Sequence, residues 1–334
     1  MTQSRNQPDP DPFGDTFIAM TGARAVITAT RLGVFSALAE ERARPDALAV
    51  ELGLDPVGIE ALLTALATLG YLEAGADGRY GPTAAGLQLA AGTSDSVAHY
   101  VGAYNAYAWE MLGGLDEALR GERQPASHQR PPDDAFWESY IRGLFELTRD
   151  EHDEAARRVP VAEPLELLDV AGGHGGFAMA MCARHPQLNA TVLDLPASTA
   201  VGRRIVAEEG FEQRISFREG NATEADLGKH LDVISIFNLL HHLPQPSVQA
   251  LLGRARDSLR SGGYLMIGET ERTEQGEPAS LNGAMSGLVY FASSGTRNYT
   301  RGELGGWLEQ AGFSAVEVHR SETSPWRLLY VARA

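Results

Sequence analysis

Residues 167–176 read Leu-Leu-Asp-Val-Ala-Gly-Gly-His-Gly-Gly, so an apolar run changes directly into a glycine-rich stretch. A helical pattern follows at residues 177–184, which gives the order strand, glycine loop, helix. Glycines permit a tight turn and let a ligand approach the backbone closely. Asp169 lies in this strand, and Asp194 ends the next one, 25 positions later. A carboxylate there can accept hydrogen bonds from both hydroxyls of a ribose. The stretch predicts a nucleoside site, with a merely flexible loop as the alternative.

The surrounding sequence alternates short apolar runs with helical patterns, as expected for a doubly wound α/β domain with a mostly parallel sheet of seven strands. The connection at residues 320–326 is too short to cross over the sheet, so the last two strands are predicted to be antiparallel. The predicted strands are residues 165–170, 190–193, 215–217, 233–237, 264–267, 315–318 and 328–331, and the predicted helices are residues 177–184, 198–209, 247–259 and 301–311.

The N-terminal region has the pattern of a winged helix. Residues 45–52 and 56–69 are two predicted helices, with Asp55 as the N-cap of the second and Gly70 just after its end. A short hairpin follows, with its turn at residues 77–78. The two helices contain acidic residues and no basic one, whereas a recognition helix that approaches phosphates should carry Arg or Lys. A structural or dimerisation role is predicted, and a DNA-binding regulator is the distant alternative.

These patterns divide the chain into four parts. Residues 1–14 form a polar, proline-rich tail that is predicted to be disordered, with the first helix beginning near Asp15. Residues 15–95 are predicted to form the winged-helix-like domain. Residues 96–160 are predicted to form an aromatic-rich helical linker that lines a substrate pocket, and residues 161–334 the domain that contains the predicted nucleoside site.

Composition excludes several classes of protein. The net charge of −16 disfavours nucleic-acid partners and anionic membrane surfaces. The single cysteine, Cys182, permits neither an intrachain disulfide nor a multi-cysteine zinc site, and no metal is expected. There is no apolar run of transmembrane length and no signal-peptide core in the N-terminal residues. A cytoplasmic protein is predicted.

The glycine loop favours one cofactor over its main rival. A nicotinamide dinucleotide is bound by G-x-G-x-x-G, and an acid at the start of the loop would lie badly beside its pyrophosphate. The acid suits a cationic cofactor without phosphates. S-adenosylmethionine, with its amino group, sulfonium and ribose, fits this requirement.

With these motifs, nearly the whole chain resembles the small-molecule O-methyltransferases of plant phenolic and bacterial natural-product pathways. Residues 169–175 match the family's D-V-G-G-G-x-G loop except at Ala171, and residues 194–196 match its D-L-P motif. The resemblance implies a winged-helix dimerisation domain, a homodimer, a small-molecule acceptor, and S-adenosylmethionine with S-adenosylhomocysteine as product. The implied cofactor-binding residues are Asp169, Gly172, Gly173, Gly175, Asp194, Leu195, Asn221, Phe237 and Thr148.

Two of these positions depart from the family. The family has a G-D pair that contacts the adenine region, where this chain has Gly220 and Asn221, so an amide replaces a carboxylate. The family often has a lysine four residues before its catalytic histidine, and this position is Phe237 here.

The resemblance also implies a catalytic pair. In the family, a histidine in L-H-D-W is the general base, and a glutamate 28 residues later orients it. His241 and Glu269 have these positions. An imidazole titrates near neutrality, and a carboxylate on its far nitrogen fixes the tautomer. The alternative is that the histidines only shape the pocket; His242 is expected to point elsewhere and to be structural. Asn298 stands where the family often has a second glutamate.

The prediction from sequence is a methyltransferase that acts on a hydroxyl of an aromatic or polyketide-like molecule in secondary metabolism. The alternatives are methylation of carbon or nitrogen, or a non-methylating enzyme on the same scaffold. The acceptor itself is not identified by the sequence. The predicted acceptor-binding residues are Trp109, Tyr140, Leu144, Tyr290, Phe291 and Asn298.

Overall fold

The computed structural model describes residues 12–122, 127–163 and 166–334, and the chain divides into two compact units, Met1–Ala106 and Tyr107–Ala334. The first unit is a helical domain with a small hairpin. Its elements are α1 (Pro12–Arg31), α2 (Val34–Glu40), α3 (Pro45–Leu52), α4 (Pro56–Thr68), β1 (Leu72–Ala74), β2 (Tyr80–Pro82), α5 (Ala84–Leu87) and a π-helical turn (Tyr100–Tyr104).

Local chemistry explains the helix-turn-helix and hairpin of the first unit. The Asp55 side chain accepts a hydrogen bond of 2.7 Å from the backbone N–H of Gly58 and so caps α4. Gly70 follows α4 with φ of 84° and turns the chain into β1. The core contains the fully buried side chains of Leu38, Leu48, Leu63 and Leu66.

The start of α1 differs from the prediction. The helix begins at Pro12, three residues before the expected Asp15. A proline suits the first helical position because the N–H that it lacks would have no hydrogen-bond partner within the helix there. The last three residues of the predicted disordered tail are therefore helical. Residues 1–11 lie outside the described part of the chain.

The second unit is built around a seven-stranded sheet. Helix α6 (Asn105–Gly113) begins at the boundary between the units. The remaining elements are α7 (Leu115–Leu119), a 3₁₀ turn (Ser127–Gln129), α8 (Phe136–Arg157), β3 (Glu166–Val170), α9 (Gly176–Arg184), β4 (Asn189–Asp194), α10 (Pro196–Glu208), β5 (Ile215–Glu219), β6 (Leu231–Phe237), a 3₁₀ turn (Leu240–His242), α11 (Gln245–Ser258), β7 (Leu259–Thr270), α12 (Leu281–Ser294), α13 (Arg301–Gln310), β8 (Ser314–Arg320) and β9 (Arg327–Arg333).

The sheet has the order β5-β4-β3-β6-β7-β9-β8, which confirms the predicted doubly wound fold. Strands β3 to β7 are parallel, and β9 pairs antiparallel with both β7 and β8, as the short last connection predicted. Strand β7 is longer than predicted because it pairs with β6 on one side and β9 on the other. Residue 165, the predicted start of β3, lies outside the described residues.

Helices cover both faces of the sheet. One apolar cluster joins α8, α9 and α10 to the first face through Ile141, Phe177 and Ile205. A second joins α11 and α13 to the other face through Leu251 and Leu308. The strand order reverses at β3, whose neighbours β4 and β6 lead away in opposite directions. A crevice is expected at the carboxyl ends of these strands.

Candidate active site

A cavity of about 610 Å³ opens at this crevice, and all of its lining residues belong to the second unit. The loops after β3, β4 and β6 form one side, and α8 forms another. Ten of the predicted site residues line it: Asp169, Gly172, Gly173, Asp194, Leu195, Asn221, Phe237, Tyr140, Leu144 and Thr148.

Two positions of the glycine loop, Gly172 and Gly175, are packed too closely for larger residues. A Cβ on Gly172 would lie 2.4 Å from Oδ2 of Asp169. Gly175 precedes α9 with φ of 74°, and its Cβ would lie 2.9 Å from Cγ2 of Val206. Gly175 does not line the cavity, so in this structure its place is at the start of the helix. The loop lines the cavity at Gly172 and Gly173, where no side chain separates the backbone from a ligand.

Two carboxyl groups face the loop. The hydroxyl of Ser235 donates a 2.7 Å hydrogen bond to Asp169, which is 1% exposed, and burial raises the pKa of Asp169 to about 7. Asp194 accepts hydrogen bonds from the backbone N–H groups of Gly173, at 2.8 Å, and Leu195, at 2.6 Å. Burial raises the pKa of Asp194 to about 6, although these bonds oppose the shift. The Ser198 hydroxyl also donates to Asp194, and the carboxylate keeps acceptor capacity for a ribose donor.

Helix α8 presents Tyr140, Leu144 and Thr148, spaced by four residues, on the face that lines the cavity. Two histidines that the sequence interpretation missed lie beside them. His152 continues the same helical spacing, and His174 lies within the glycine loop. The spacing of His152 after Thr148 was the signal that could have found it.

His174 has a defined tautomer. The backbone N–H of Gly176 donates to its Nδ1 at 3.0 Å, so Nε2 carries the proton and lies 3.4 Å from the Thr148 hydroxyl. Burial lowers the pKa of His174 to about 4 and that of His152 well below its ordinary value. Both imidazoles are therefore neutral near pH 7.

The predicted catalytic pair is in hydrogen-bonding contact. His241 Nδ1 lies 2.6 Å from Oε2 of Glu269, and Oε1 of Glu269 accepts a 2.7 Å hydrogen bond from the backbone N–H of Leu240. Both side chains are buried, and the ring of Tyr290 stacks on His241 at 3.7 Å with an angle of 15°. His241 and Glu269 lie behind the cavity wall and are not among its lining residues.

His242 lines the cavity, contrary to the expectation that it points away from the site. The 3₁₀ turn sends successive side chains in different directions, and Glu269 holds His241 on the buried side. Nδ1 of His242 lies 2.5 Å from the Ser294 hydroxyl, and its ring lies 6.0 Å from that of His128. Burial lowers the pKa of His242 well below its ordinary value, and the nearby His241 lowers it further.

Four predicted acceptor-binding residues do not line the cavity: Trp109, Tyr290, Phe291 and Asn298. The Tyr290 hydroxyl lies 3.0 Å from that of Thr270, and its ring covers His241. The Asn298 amide donates to the backbone carbonyls of Glu271, at 3.1 Å, and Gly283, at 3.3 Å. It therefore joins the end of β7 to α12, whereas the sequence suggested a place in the pocket.

Two searches of the described residues gave no candidates. Within residues 12–122, 127–163 and 166–334, no group of three or more His, Cys, Asp and Glu side chains is arranged to hold a metal ion. None of the helices in these ranges has the length and apolar character needed to cross a membrane.

Comparison with known families decides the class of protein. The sequence model of the O-methyltransferase domain matches residues 126–314, and that of the O-methyltransferase dimerisation domain matches residues 19–91. The chain belongs to the O-methyltransferase family. It is accordingly an S-adenosylmethionine-dependent methyltransferase.

Named relatives cover most of the chain. A 3-hydroxy-5-methyl-1-naphthoate 3-O-methyltransferase from Streptomyces sahachiroi is 29% identical over 93% of this chain and 91% of its own length. The N,N-dimethyltransferase OxyT from Streptomyces rimosus is 28% identical over 73% of this chain and 74% of its own. The structure of human N-acetylserotonin methyltransferase in complex with S-adenosylmethionine has the same fold, with a TM-score of 0.86, 19% identity and 99% of each chain covered.

The cavity of this O-methyltransferase suits S-adenosylmethionine chemically. Asp194 offers lone pairs to ribose hydroxyls, and Gly172 permits a close approach to the loop. Two buried carboxyl groups, Asp169 and Asp194, lie where a cation would favour their charged forms. The residues present therefore fit the cofactor.

Proposed function

We propose that this methyltransferase moves a methyl group to a hydroxyl of an aromatic or polyketide-like small molecule in secondary metabolism. The observation that carries the proposal is the His241–Glu269 pair, joined at 2.6 Å behind the wall of a cavity that Asp194 lines. The naphthoate 3-O-methyltransferase relative supports an aromatic acceptor.

The chain's own residues have separable roles in this proposal. Glu269 accepts a hydrogen bond from Nδ1–H of His241, which leaves a lone pair on Nε2. Because His241 lies behind the cavity wall, the acceptor hydroxyl must pass that wall in this proposal. Nε2 there takes its proton as the oxygen forms its new bond to the methyl carbon. When bound, S-adenosylmethionine supplies this methyl from its sulfonium and becomes the thioether S-adenosylhomocysteine as the carbon–sulfur bond breaks. Holding the two reactants together supplies much of the rate.

The proposed cofactor contacts are the eight cavity-lining residues among the nine named from the family resemblance, with Asp194 on the ribose and the glycine loop alongside. Gly175 only shapes the start of α9. The aromatic and apolar wall of α8, from Tyr140 to Leu144, would contact a flat acceptor. Residues 161–334 would act as the cofactor-binding domain, with residues 96–160 as the substrate-lining region. The proposed setting is the cytoplasm.

The test is an assay of methyl transfer from labelled S-adenosylmethionine to hydroxynaphthoates, in which the mass of the product is then measured. The wild type is expected to yield a methyl ether. His241→Ala should lower kcat by about 100-fold or more because the proton acceptor is lost, while cofactor affinity stays unchanged because His241 does not line the cavity. Wild-type turnover by His241→Ala would remove the histidine from the mechanism.

Nitrogen methylation is the second candidate, since the OxyT relative is named as an N,N-dimethyltransferase. The same assay with aminonaphthoates separates the two, because a methylamine product survives treatments that cleave an aryl methyl ether.

We also propose a homodimer formed through residues 19–91, the segment that matches the dimerisation domain. Large apolar side chains on α1 are exposed in the single chain, including Phe17 at 64% and Ile18 at 62%. Such a surface is typical of one covered by another subunit. Sedimentation equilibrium should give twice the chain mass of 35.9 kDa.

A further inference from the structure

Of the arginine and lysine side chains that the structure describes, one is buried, and it lies at the edge of the sheet where the cavity opens. This side chain belongs to Arg327, the first residue of β9, which is 8% exposed. Because β9 runs antiparallel to β7, Arg327 pairs with Thr270 at the carboxyl end of β7. Its Nε lies 3.0 Å from Oε1 of Glu151 on α8, which is equally buried. A charge so far from water requires a partner of this kind.

Arg327 also contacts Asn238, the residue that follows β6. Nη2 of the guanidinium donates to Oδ1 of Asn238, and since a guanidinium has donors only, the direction of this hydrogen bond is fixed. The backbone N–H of Asn238 donates to the carbonyl of Gly268, at 3.0 Å, and so extends the pairing of β6 with β7. At Asn238 itself φ is 56°, a left-handed conformation that few residues other than glycine adopt. Arg327 therefore holds the side chain at the point where the chain turns.

The turn that begins at Asn238 carries one half of the proposed catalytic pair. Three residues later, Nδ1 of His241 lies 2.6 Å from Oε2 of Glu269. Glu269 is placed by the pairing of β7 with β9, whereas the position of His241 depends on the direction that the chain takes at Asn238. Arg327 does not line the cavity, so its influence on the reaction passes through the residues that it contacts.

We propose that Arg327 is a positioning residue for the catalytic pair. Its hydrogen bond to Asn238 stabilises the left-handed turn after β6 and so keeps His241 in line with Glu269, while Glu151 balances the charge of the guanidinium. The inference rests on the proposed function where it concerns turnover, because His241 is there assigned to the acceptor proton. The alternative is that Arg327 only joins β9 to α8 and has no influence on His241.

NMR of the protein with isotope-labelled histidine shows the position of His241 without requiring turnover. The Tyr290 ring, stacked on His241 at 3.7 Å, shields the Cε1–H proton of His241, and its signal is identified by its loss in His241→Ala. Arg327→Met should move this signal towards the shift of an unstacked histidine. With hydroxynaphthoates as acceptors, kcat should fall about tenfold, because a small misplacement of a reacting group is costly. KM and the calorimetric affinity for S-adenosylhomocysteine should stay nearly unchanged.

A change at Asn238 separates the two explanations. Glycine takes a left-handed conformation without a side-chain partner, so Asn238→Gly should make the turn independent of Arg327. In the Asn238→Gly protein, the addition of Arg327→Met should shift the His241 signal little and lower kcat by less than about twofold. If Arg327 only joined β9 to α8, its replacement would have the same effect with asparagine or glycine at position 238.

Two further variants control for the loss of a buried ion pair. Arg320→Met breaks a 2.7 Å ion pair between β8 and the buried Glu271, outside the cavity, and should lower Tm without moving the His241 signal. If Arg327→Met does not fold because Glu151 is left unpaired, Glu151→Gln combined with Arg327→Met removes both charges and enters the same comparison.

The proposal would be overturned by an unmoved His241 signal in Arg327→Met, or by an equal movement with asparagine and glycine at position 238. Labelled methyl transfer, measured in parallel, tests the proposed function separately. A shift that depends on Asn238, without any methyl ether, would leave the role of Arg327 in the turn intact and contradict O-methyl transfer to these acceptors. Methyl ether formation without such a shift would do the reverse.

Discussion

The two ends of the cavity are constructed differently. At the cofactor end, the loops after β3 and β4 provide the contacts, and the backbone N–H groups of Gly173 and Leu195 hold the Asp194 carboxylate. At the histidine end, side chains from separate elements meet: His128 from a 3₁₀ turn and His242 from another turn, with Ser294 of α12 behind His242. Backbone geometry determines the first end, and side-chain packing determines the second.

The largest effect is expected at the histidine end, from Glu269→Gln. The glutamate accepts from both the Leu240 N–H and His241 Nδ1–H, and a glutamine oxygen can replace only one of these contacts well. With the oxygen on Leu240, the amide NH₂ faces Nδ1 and places the His241 proton on Nε2, where the lone pair is needed. We expect kcat to fall by about 1,000-fold, measured by methyl transfer.

The affinity for S-adenosylmethionine should be nearly unchanged in Glu269→Gln, because Glu269 does not line the cavity. Glu317→Gln, on β8, is the matched control and should keep wild-type turnover. Normal kcat in Glu269→Gln would show that the tautomer of His241 does not matter, and the histidine end would then act by shape alone.

An intermediate effect is expected at the cofactor end, from Asp194→Ala. Two charge-assisted hydrogen bonds to ribose hydroxyls are removed, so the affinity for S-adenosylmethionine should fall about 100-fold by calorimetry. Asp257→Ala, an exposed carboxylate on α11, should leave affinity unchanged. Undiminished affinity in Asp194→Ala would mean that the backbone alone binds the cofactor.

The pH dependence of binding sharpens the same prediction. Burial raises the pKa of Asp194 to about 6 in the free protein, and a hydroxyl donor favours the ionised carboxyl. The proton must leave on binding, so affinity should be full near pH 8 and decline as the pH falls through about 6. In Asp194→Ala the affinity should decline less steeply as the pH falls. The decline that remains is expected from Asp169, because burial raises the pKa of Asp169 to about 7.

The difference between the two ends of the cavity also explains which parts of the site the sequence predicted. Glycines and acids placed at strand ends are visible in the sequence, and the sheet then determines where Asp169 and Asp194 lie. The resemblance to the family, through its spacing of 28 residues, placed His241 next to Glu269, and this contact is present. It did not show which of His241 and His242 faces the cavity, because this depends on a local 3₁₀ turn and on partners from α12. Asn298 was misplaced for the same reason, since its partners are backbone carbonyls distant in sequence.

The smallest effect tests whether the cofactor end depends on backbone alone. Ala171 lines the cavity with φ of 56°, a left-handed conformation that costs an alanine about 1 kcal/mol. Ala171→Gly, which restores the glycine of the family pattern, should therefore raise the free energy of unfolding by up to about 1 kcal/mol, or Tm by about 2 °C. Ala207→Gly, on the exposed side of α10, should lower stability by a similar amount.

Binding decides what the Ala171 result means. If backbone geometry is sufficient, Ala171→Gly should bind S-adenosylmethionine as the wild type does, because the loop already has the conformation that glycine prefers. Weaker binding despite higher stability would show that the alanine methyl group contacts the cofactor. In that case side-chain packing would matter at both ends of the cavity, and the departure of Ala171 from the family pattern would be a feature of the binding site.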